Sequence, residues 1–352
     1  MAFGAPGVIG LDIGTSAVRA ALLGNGRGKR SLLRFGQVAL PPGAVMGGEI
    51  RDPAAVSDAI SQLWQRTKFK SKKAVLGLAN QRVVVRQIDI PFMEEKELRE
   101  SLKFQVSEHI PMSVEAAELD FQILEDYNTE EGQHMLRILL VAAASDMVES
   151  FISVASEAGL QPAAVDITPF AVARAVSQVV RGESGTAGAE AVVDVGAGIT
   201  NIVIHHNGEA RFVRILQVGG DDATAALAEE LEVEFEEAEA IKYDLGGGVG
   251  TDAANDVLTQ RVDGLVREIQ GSIDYYMSQD DSEPVTSVVV TGGGSLTPGF
   301  VERLEAAVGI RVRSGSTLSD VDASKSGLTE EQLAQVEPVA AASVGLAMGA
   351  LK

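Results

Sequence analysis

Residues 10–16 combine residue types that could bind a phosphate group and a metal ion. A lone acid, Asp12, precedes the small residues Gly14, Thr15 and Ser16, with apolar runs on both sides. Glycines let backbone N–H groups approach phosphate oxygens closely, and a neighbouring carboxylate can hold Mg²⁺ or its waters. The pattern predicts strand, tight turn and strand. Because Asp and Gly are routine turn residues, an ordinary β-hairpin is the alternative when the stretch is taken alone.

A second copy of the pattern favours the phosphate interpretation. Asp194 lies 182 residues (194 − 12) after Asp12, and Gly196 follows it as Gly14 follows Asp12. The offset also aligns the turn at 25–26 with the turn at 207–208. Solenoid repeats have periods of about 20 to 50 residues, so this longer repeat indicates a duplicated domain.

A third turn, rich in glycine, spans 291–295 after an apolar strand expected at 285–290. In a duplicated α/β fold, turns at the carboxyl ends of strands converge on one interdomain cleft. Two of the turns could grip phosphates and the third could pass under a purine. Neither a P-loop nor a G-x-G-x-x-G motif after the first strand is present in the sequence.

The elements that must position these turns alternate between strands and helices in both halves. In the first half, a helix from Asp52 or Pro53 to about Lys68 is expected between strands, with Asp52 as its N-cap. An inserted module follows, in which the helix at 94–109 should place Leu98, Leu102, Phe104 and Val106 on its inner side. Strands at 118–125 and 135–143 and a helix at 147–158 complete the module, and a Gly/Ser-rich link at 182–188 should separate the halves.

Composition limits the class of protein. The 352 residues carry a formal net charge of −21, which disfavours a nucleic-acid partner. Cysteine is absent, which excludes disulfides and cysteine-ligated metal sites, and no apolar window approaches the roughly 18 residues of a membrane span. A run of five bases interrupts the acidic chain and is either solvated surface or a patch for an acidic partner or lipid headgroups: Arg66, Lys68, Lys70, Lys72 and Lys73.

The order and spacing of the three turns resemble the actin-like ATPase superfamily over the whole chain. The resemblance implies an α/β fold of two ribonuclease-H-like halves around a nucleotide cleft, with a small inserted α+β subdomain. It makes 11–19 the first phosphate motif, 193–201 the second and 291–299 the adenosine motif. The connecting segments would be 163–173 and 338–348.

The resemblance also implies ATP and Mg²⁺ as cofactors, with Asp12 and Asp194 holding the metal through waters. Glu239 and Lys242 would contact the ribose and base, although their spacing alone favours an ordinary surface ion pair. The implied cofactor-binding residues are Asp12, Gly14, Thr15, Ser16, Asp194, Gly196, Ala197, Gly198, Thr200, Asn201, Glu239, Lys242, Gly292, Gly293, Gly294 and Ser295.

No residue is assigned to orient an attacking water, so any ATP hydrolysis should be slow. Asp166 and Thr168 are weak catalytic candidates, since they could equally end a strand and cap the next helix. The histidines at 109, 134, 205 and 206 lie outside the glycine-rich turns, and we expect them at the surface.

By the same resemblance the chain divides into four subdomains. Their expected ranges are 1–90 with 164–184 and 336–352 for 1A, 91–163 for the inserted 1C, 185–218 with 278–335 for 2A, and 219–277 for 2B.

The inserted module resembles the type IV pilus assembly protein PilM family, which is related to the cell-division protein FtsA. The phrases 98–104, 110–112, 119–121 and 158–160 carry this likeness. The resemblance implies a cytoplasmic adaptor at the inner face of the inner membrane that couples nucleotide state to partner binding. Its partner would be the cytoplasmic N-terminal peptide of a PilN-like inner-membrane protein. Other pilus inner-membrane or motor components, and a second copy of the chain, are further candidate partners.

Two alternatives remain open at this stage. An FtsA-like filament protein of cell division would extend into a basic amphipathic membrane helix, whereas this sequence ends at Leu351-Lys352, so we expect membrane contact only through partners. A small-molecule kinase of the sugar-kinase type would need a larger lid domain and a substrate-binding acid. A labelled-ATP titration with and without an added partner peptide would separate these functions.

Overall fold

Alternating strands and helices form the protein, and the computed structural model describes them over residues 8–25, 29–177, 188–245, 251–279 and 282–350. The strands are β1 (Ile9–Ile13), β2 (Ala17–Asn25), β3 (Arg30–Ala39), β4 (Val45–Met46), β5 (Glu49–Ile50), β6 (Lys73–Leu78), β7 (Val83–Pro91), β8 (Ala117–Asn128), β9 (His134–Ala144), β10 (Gln161–Ile167), β11 (Ala189–Val195), β12 (Thr200–His206), β13 (Glu209–Leu216), β14 (Val285–Thr291), β15 (Val312–Ser314) and β16 (Val321–Asp322). The helices are α1 (Pro53–Thr67), α2 (Glu95–Val106), α3 (Ser145–Glu157), α4 (Thr168–Val176), α5 (Gly220–Leu231), α6 (Phe235–Asp244), α7 (Asp252–Met277), α8 (Phe300–Val308), α9 (Glu330–Val336) and α10 (Ala341–Gly349). The link expected at 182–188 lies, apart from Gly188, outside the described residues.

Two sheets repeat one topology, as the duplicated sequence predicts. The first sheet has the order β10-β6-β1-β2-β3-β16, and the second has the order β13-β12-β11-β14-β15. Each sheet has a central antiparallel hairpin, β1–β2 or β11–β12. The first strand of the hairpin pairs in parallel with a later strand, β1 with β6 and β11 with β14. Strands β10 and β15 extend the two sheets in the same way. The carboxyl ends of β1 and β11 therefore carry equivalent turns.

Helices α4 and α10 lie between the two sheets and join them into one core. Val172 of α4 and Val344 of α10 share a buried cluster with Val192 and Val203 of the second sheet. The two helices approach so closely that a Cβ added to Gly345 would lie 1.7 Å from the backbone oxygen of Ala171. Helices α1 and α3 cover the outer face of the first sheet, and α5, α7 and α8 cover that of the second.

Helix α1 begins as its sequence predicts. Asp52 caps the helix by accepting a hydrogen bond from the backbone N–H of Ala55 at 3.0 Å, and Pro53 occupies the first turn. Val56, Ile60 and Leu63 are buried at helical spacing against the first sheet. Local sequence signals thus fix both the start of this helix and its inner face.

The inserted module differs from the expected helix, two strands and helix. Strand β7, which lies almost wholly in the range 1–90 expected for subdomain 1A, pairs with β9 in a separate three-stranded sheet of order β7-β9-β8. Its residues Ile88 and Ile90 pack against Leu98 of α2. Helix α3 leaves the module instead and buries Phe151 in the core of the first half. The boundary at 91 therefore moves back to the start of β7.

Phe104 does not lie on the inner side of α2, where we expected it. Its side chain is 85% exposed, whereas Leu98, Leu102 and Val106 are buried in the module. Each helical residue turns the chain by about 100°, so a position two residues from Leu102 points almost to the opposite side. The helical period excludes Phe104 from the stripe that the other three residues form.

The boundary expected at 335, where the chain should return from subdomain 2A to subdomain 1A, lies earlier in the structure. Strand β16 pairs with β3, so that Val321 lies opposite Arg30 and Asp322 opposite Ser31. Val321 and Val336 belong to the cluster between the sheets. The chain after about residue 318 thus packs on the first sheet before it reaches α10, because these apolar side chains complete the core beside β3.

Candidate functional site

The two acid-bearing hairpins have the same backbone geometry. Asp12 lies opposite Arg19 across β1 and β2, and Asp194 lies opposite Asn201 across β11 and β12. The first turn closes with a 3.0 Å hydrogen bond from the N–H of Gly14 to the oxygen of Ala17. The N–H of Gly196 donates to the equivalent oxygen of Ile199 at 2.9 Å. The 182-residue offset therefore holds in hydrogen bonding as well as in sequence.

The two turns approach each other closely at the junction of the two halves. A Cβ added to Gly198 would lie 2.9 Å from Oγ1 of Thr15, closer than side-chain carbons normally come. Ser16, exposed at the first turn, lies with its Oγ 3.5 Å from a guanidinium nitrogen of Arg19. A ligand between the turns would thus meet backbone N–H groups and small hydroxyl side chains from both halves.

The pKa values of the two acids at these turns are both raised. Burial raises the pKa of Asp12 to about 6, with the Arg19 guanidinium opposing the shift and the charge of Asp194 adding to it. Burial also raises the pKa of Asp194, while the hydrogen bond from Asn201 and the charge of Arg19 lower it. Two carboxylates brought together out of water repel each other, and a bound cation would relieve this repulsion.

Arg19 is a site residue that our residue-by-residue assignment missed. Its guanidinium lies 3.8 Å from Oδ2 of Asp12, and its charge also acts on Asp194. Within the described part of the chain, its buried Nε has no hydrogen-bond partner. The sequence did contain a signal for Arg19, since the repeat aligns it with Asn201, which was assigned to cofactor binding.

The third glycine-rich turn packs directly on the second acid. Gly292 has φ +88°, and a Cβ added there would lie 2.6 Å from Oδ1 of Asp194 and 2.3 Å from the oxygen of Val195. Gly293 begins a short 3₁₀ turn, and Oγ of Ser295 donates to the oxygen of Gly292 at 2.7 Å. Larger residues at 292 would force this turn away from the acid.

The start of α5 joins the same cluster and was not assigned from sequence. The N–H of Gly220 donates to the oxygen of Gly196, and the N–H of Asp221 donates to that of Ala197, at 2.9 and 2.8 Å. A Cβ on Gly219 would lie 2.3 Å from the oxygen of Ala197. The paired glycines at 219–220, two residues after β13 and at the start of a helix, were the available signal.

Lys242 is part of a buried network and not of a surface ion pair. Its side chain is 1% exposed, and Nζ donates to Glu239 at 2.6 Å, to Thr224 at 2.7 Å and to the oxygen of Gly220 at 3.2 Å. With three acceptors the amine is saturated, so it ties α6 to the start of α5. Glu239, 35% exposed, remains able to accept a bond from a ligand.

Three other assigned residues are engaged elsewhere. Asp166 forms an ion pair with Arg174 of α4 and is separated from β1 by strand β6. Thr168 is buried at the start of α4, and Oγ1 of Thr200 donates to the oxygen of Val218 at 2.8 Å. Neither Asp166 nor Thr168 has a contact in the described structure that would assign it to catalysis, and the assignment of Thr200 to cofactor binding stays a prediction.

His205 corrects the expectation that the histidines lie at the surface. It is 1% exposed and bonds Glu190 at 3.2 Å through Nε2. Arg313 also contacts Glu190, at 3.0 Å, so the buried carboxylate is held from two sides. His134, in contrast, is exposed beside Phe92. Both faces of β12 are covered, so His205 is buried together with its neighbours on either face, which only the packing of the second sheet reveals.

The donor set fits a hydrated Mg²⁺ beside phosphates. Mg²⁺ sites of this kind use one or two carboxylates plus waters and phosphate oxygens rather than a full protein cage. Asp12 and Asp194 supply such carboxylates, and the described residues contain no cluster of three or more His, Cys, Asp or Glu side chains that could hold a metal ion. Among those residues, Oδ1 of Asn201 and Oγ1 of Thr291 are buried without partners beside Asp194.

A model of the type IV pilus assembly protein PilM family matches residues 10–351. The chain belongs to this family. A solved PilM–PilN type IV pilus biogenesis complex contains a chain that superposes with a TM-score of 0.85, at 24% identity, covering 98% of both chains. This PilM-family chain has the expected actin-like fold, and MreB5 of Spiroplasma citri bound to ADP shares that fold at a TM-score of 0.50, with 13% identity and coverage of 88% and 92%.

The cell-division protein FtsA of Streptococcus pneumoniae serotype 2 (strain D39 / NCTC 7466) is also related to this PilM-family chain. The two are 24% identical over 345 residues, which cover 86% of this chain and 74% of FtsA. Across the described residues, no helix has the length and apolar character needed to cross a membrane.

Proposed function

We propose that the cleft between the two halves binds ATP with Mg²⁺, and that the chain acts as a nucleotide-dependent adaptor in type IV pilus assembly. The observation that carries the proposal is that two equivalent acid-bearing turns, from Asp12 and Asp194, come together with glycine backbone from both halves beside them. The ADP-bound MreB5 structure, which shares the fold, supports a nucleotide as the ligand.

In this proposal each turn has a separate task. Gly14, Thr15 and Ser16 of the first half and Gly196, Ala197 and Gly198 of the second hold the phosphates. Gly292, Gly293, Gly294 and Ser295 support the adenosine, and Glu239 accepts a hydrogen bond from the ribose. Bound Mg²⁺, held through waters by Asp12 and Asp194, would neutralise phosphate charge. Arg19 would hold both acids in place and contribute positive charge.

The partner we propose is the cytoplasmic N-terminal peptide of a PilN-like inner-membrane protein. The similarity in fold to a chain of the PilM–PilN complex supports this choice. We further propose that the adaptor works in the cytoplasm at the inner face of the inner membrane. Closure of the two halves on ATP would be a hinge motion that changes the affinity for the peptide.

A titration with fluorescent ATP tests the nucleotide part. We expect saturable binding that requires Mg²⁺ and weakens at least about tenfold in Asp194→Asn, which loses the charge that holds the cation. Asp58→Asn, on the exposed side of α1, is the matched control and should bind as the parent does. Equal binding by all three proteins would contradict the assignment of the cleft.

A second titration tests the partner part independently. A synthetic peptide with the N-terminal sequence of the PilN-like protein from the same organism should bind with one-to-one stoichiometry, and a scrambled peptide should not. We expect its affinity to change when Mg²⁺ and ATP saturate the cleft. If the peptide binds equally well in both states, the coupling is wrong even though both ligands bind.

A further inference from the structure

Six cations gather at one end of the first sheet, away from the cleft. We call this set the basic edge, and it consists of Arg34, Arg66, Lys68, Lys70, Lys72 and Lys73, all exposed. Strand register places them together: Leu22 lies opposite both Ile9 and Arg34, and Ile9 lies opposite Ala74, the neighbour of Lys73. These are the starting ends of β1 and β6, whereas Asp12 lies near the far end of β1.

Among the residues that the structure describes, no carboxylate is paired with the basic edge. Within the described residues, none of its six side chains forms an ion pair with a carboxylate, although the whole protein carries a net charge of −21. Arg34 donates instead to the backbone oxygen of Thr67 at 3.2 Å, and Arg66 contacts the neutral side chain of Gln62 at 3.4 Å. An acidic protein that leaves one cationic cluster unneutralised presents a strongly asymmetric field.

The backbone that carries these cations is held rigidly. Nε1 of Trp64 donates to the oxygen of Ser71 at 2.9 Å, and Oγ of Ser71 accepts from the N–H of Lys73 at 3.1 Å. Phe69 is buried, with its ring centroid 5.0 Å from that of Trp64. The backbone of residues 66–73 is therefore held in place, so its cationic side chains extend from one defined edge, and the segment exposes no large apolar side chain.

We propose that the basic edge binds the surface of an anionic phospholipid bilayer. Clusters of four to eight Lys and Arg are attracted to anionic headgroups without insertion, and lysine is a hydrated point charge suited to such diffuse contact. An acidic peptide would gain affinity from an apolar pocket or an open strand edge. Residues 66–73 offer neither, since Phe69 is buried and Lys73 pairs with Gln161 of β10.

This contact would orient the protein on the membrane. Because the basic edge and the cleft lie at opposite ends of β1, the cleft would face away from the bilayer and stay open to nucleotide. The contact does not depend on the proposed nucleotide or peptide binding, and it would add a direct attachment to the one through a partner. Its failure would leave both earlier titrations unaffected.

Vesicle co-sedimentation of the full chain tests the proposal. We expect binding to vesicles of phosphatidylglycerol and phosphatidylcholine at low ionic strength, none to phosphatidylcholine alone, and release at high salt. The variant Lys68→Gln, Lys70→Gln, Lys72→Gln, Lys73→Gln should lose about fivefold in partitioning for each charge, or more than a hundredfold in total.

The matched control removes four exposed cations elsewhere, by Lys96→Gln, Lys103→Gln, Arg261→Gln and Lys325→Gln. It has the same net charge as the basic-edge variant, so the proposal requires it to bind like the parent. Equal loss in both variants, or no parent binding to anionic vesicles, would overturn the proposal. Binding of the parent to poly-glutamate but not to vesicles would overturn it in favour of an acidic polypeptide partner.

Discussion

Gly292 shows how a single residue holds two parts of the cleft in contact. Its φ of +88° lies in the left-handed region that favours glycine, and its missing Cβ leaves room for Asp194. Gly271, in the exposed interior of α7, has no neighbour within 4 Å of an added Cβ. One residue type thus serves a tertiary contact in the first position and only weakens a helix in the second.

This contrast gives a paired prediction. Gly292→Ala should lower the free energy of unfolding by about 1–3 kcal/mol and weaken nucleotide binding, because the added carbon meets Asp194 and Val195. Gly271→Ala should raise the free energy of unfolding by about 0.5–1 kcal/mol and leave binding unchanged. Urea unfolding curves measure both values. If Gly292→Ala changed neither stability nor binding, the third turn would not need its close contact with Asp194 and Val195.

Glu190 offers a pH-dependent test at the same scale. Burial by itself raises its pKa, but hydrogen bonds from His205 and Ser177 and the charges of His205 and Arg313 lower it overall from 4.5 to about 2. Since the folded value lies below the unfolded one, the charged form stabilises the protein above about pH 4.5. That contribution is lost as the pH falls from 4.5 toward 2.

We therefore expect Glu190→Gln to lower the free energy of unfolding at neutral pH by about 3 kcal/mol. The difference in free energy of unfolding between the parent and the variant should shrink as the pH falls from 4.5 toward 2, because the parent then loses its own carboxylate charge. Urea midpoints measured from neutral pH down to about pH 3 check this expectation. Glu149→Gln, exposed on α3, is the control and should show no such difference.

At the scale of elements, α2 illustrates how the helical period selects its inner face. Leu98, Leu102 and Val106 recur every four residues and are buried, while Phe104 is exposed among charged neighbours. Hydrophobicity alone suggested four inner residues, but the geometry of the helix admits three of them. The large exposed ring is therefore available for contacts outside the module.

Truncating each of two neighbouring side chains tests this orientation. Leu102→Ala should lower the free energy of unfolding by about 2–5 kcal/mol, since it opens a cavity in the core of the module. Phe104→Ala should change it by less than about 0.5 kcal/mol, because an exposed ring contributes little. Thermal or urea unfolding measures both. Similar losses in the two variants would show that α2 packs in a different rotation.

At the scale of the whole molecule, α4 and α10 connect two halves that each supply one acid to the cleft. A ligand gripped by both turns must stabilise the arrangement of the halves as well as each hairpin. Ligands that bind the folded state alone stabilise it by RT ln(1 + [L]/Kd), or about 2.7 kcal/mol at a hundredfold excess over Kd.

Mg²⁺ and ATP together should accordingly raise the melting temperature of the parent by several degrees, on the order of 2–4 °C for each kcal/mol. Asp194→Asn should lose most of this shift, and Asp58→Asn should keep it. Differential scanning calorimetry provides the measurement. A parent protein that melts at the same temperature with and without saturating Mg²⁺ and ATP would contradict the proposed cleft.

Local features were determined by the sequence itself. Each acid-bearing hairpin, each glycine-rich turn and the cap at Asp52 depends on residues near each other in the chain, and comparing the two hairpins revealed the repeat. Such signals use backbone geometry that few residue types allow. A duplicated α/β domain followed from them, and the actin-like fold followed from the resemblance that the three turns carry by their order and spacing.

Pairing between distant segments was decided by the tertiary structure alone. Strand β7 joined the inserted sheet, α3 joined the main core, and β16 crossed to β3, since apolar faces of similar strength could each have packed in more than one place. The same holds for His205 and Lys242, polar residues buried with partners 15 and 22 residues away. A polar side chain can be buried where the fold supplies its hydrogen-bond partners, and those partners are known only once the distant elements have met.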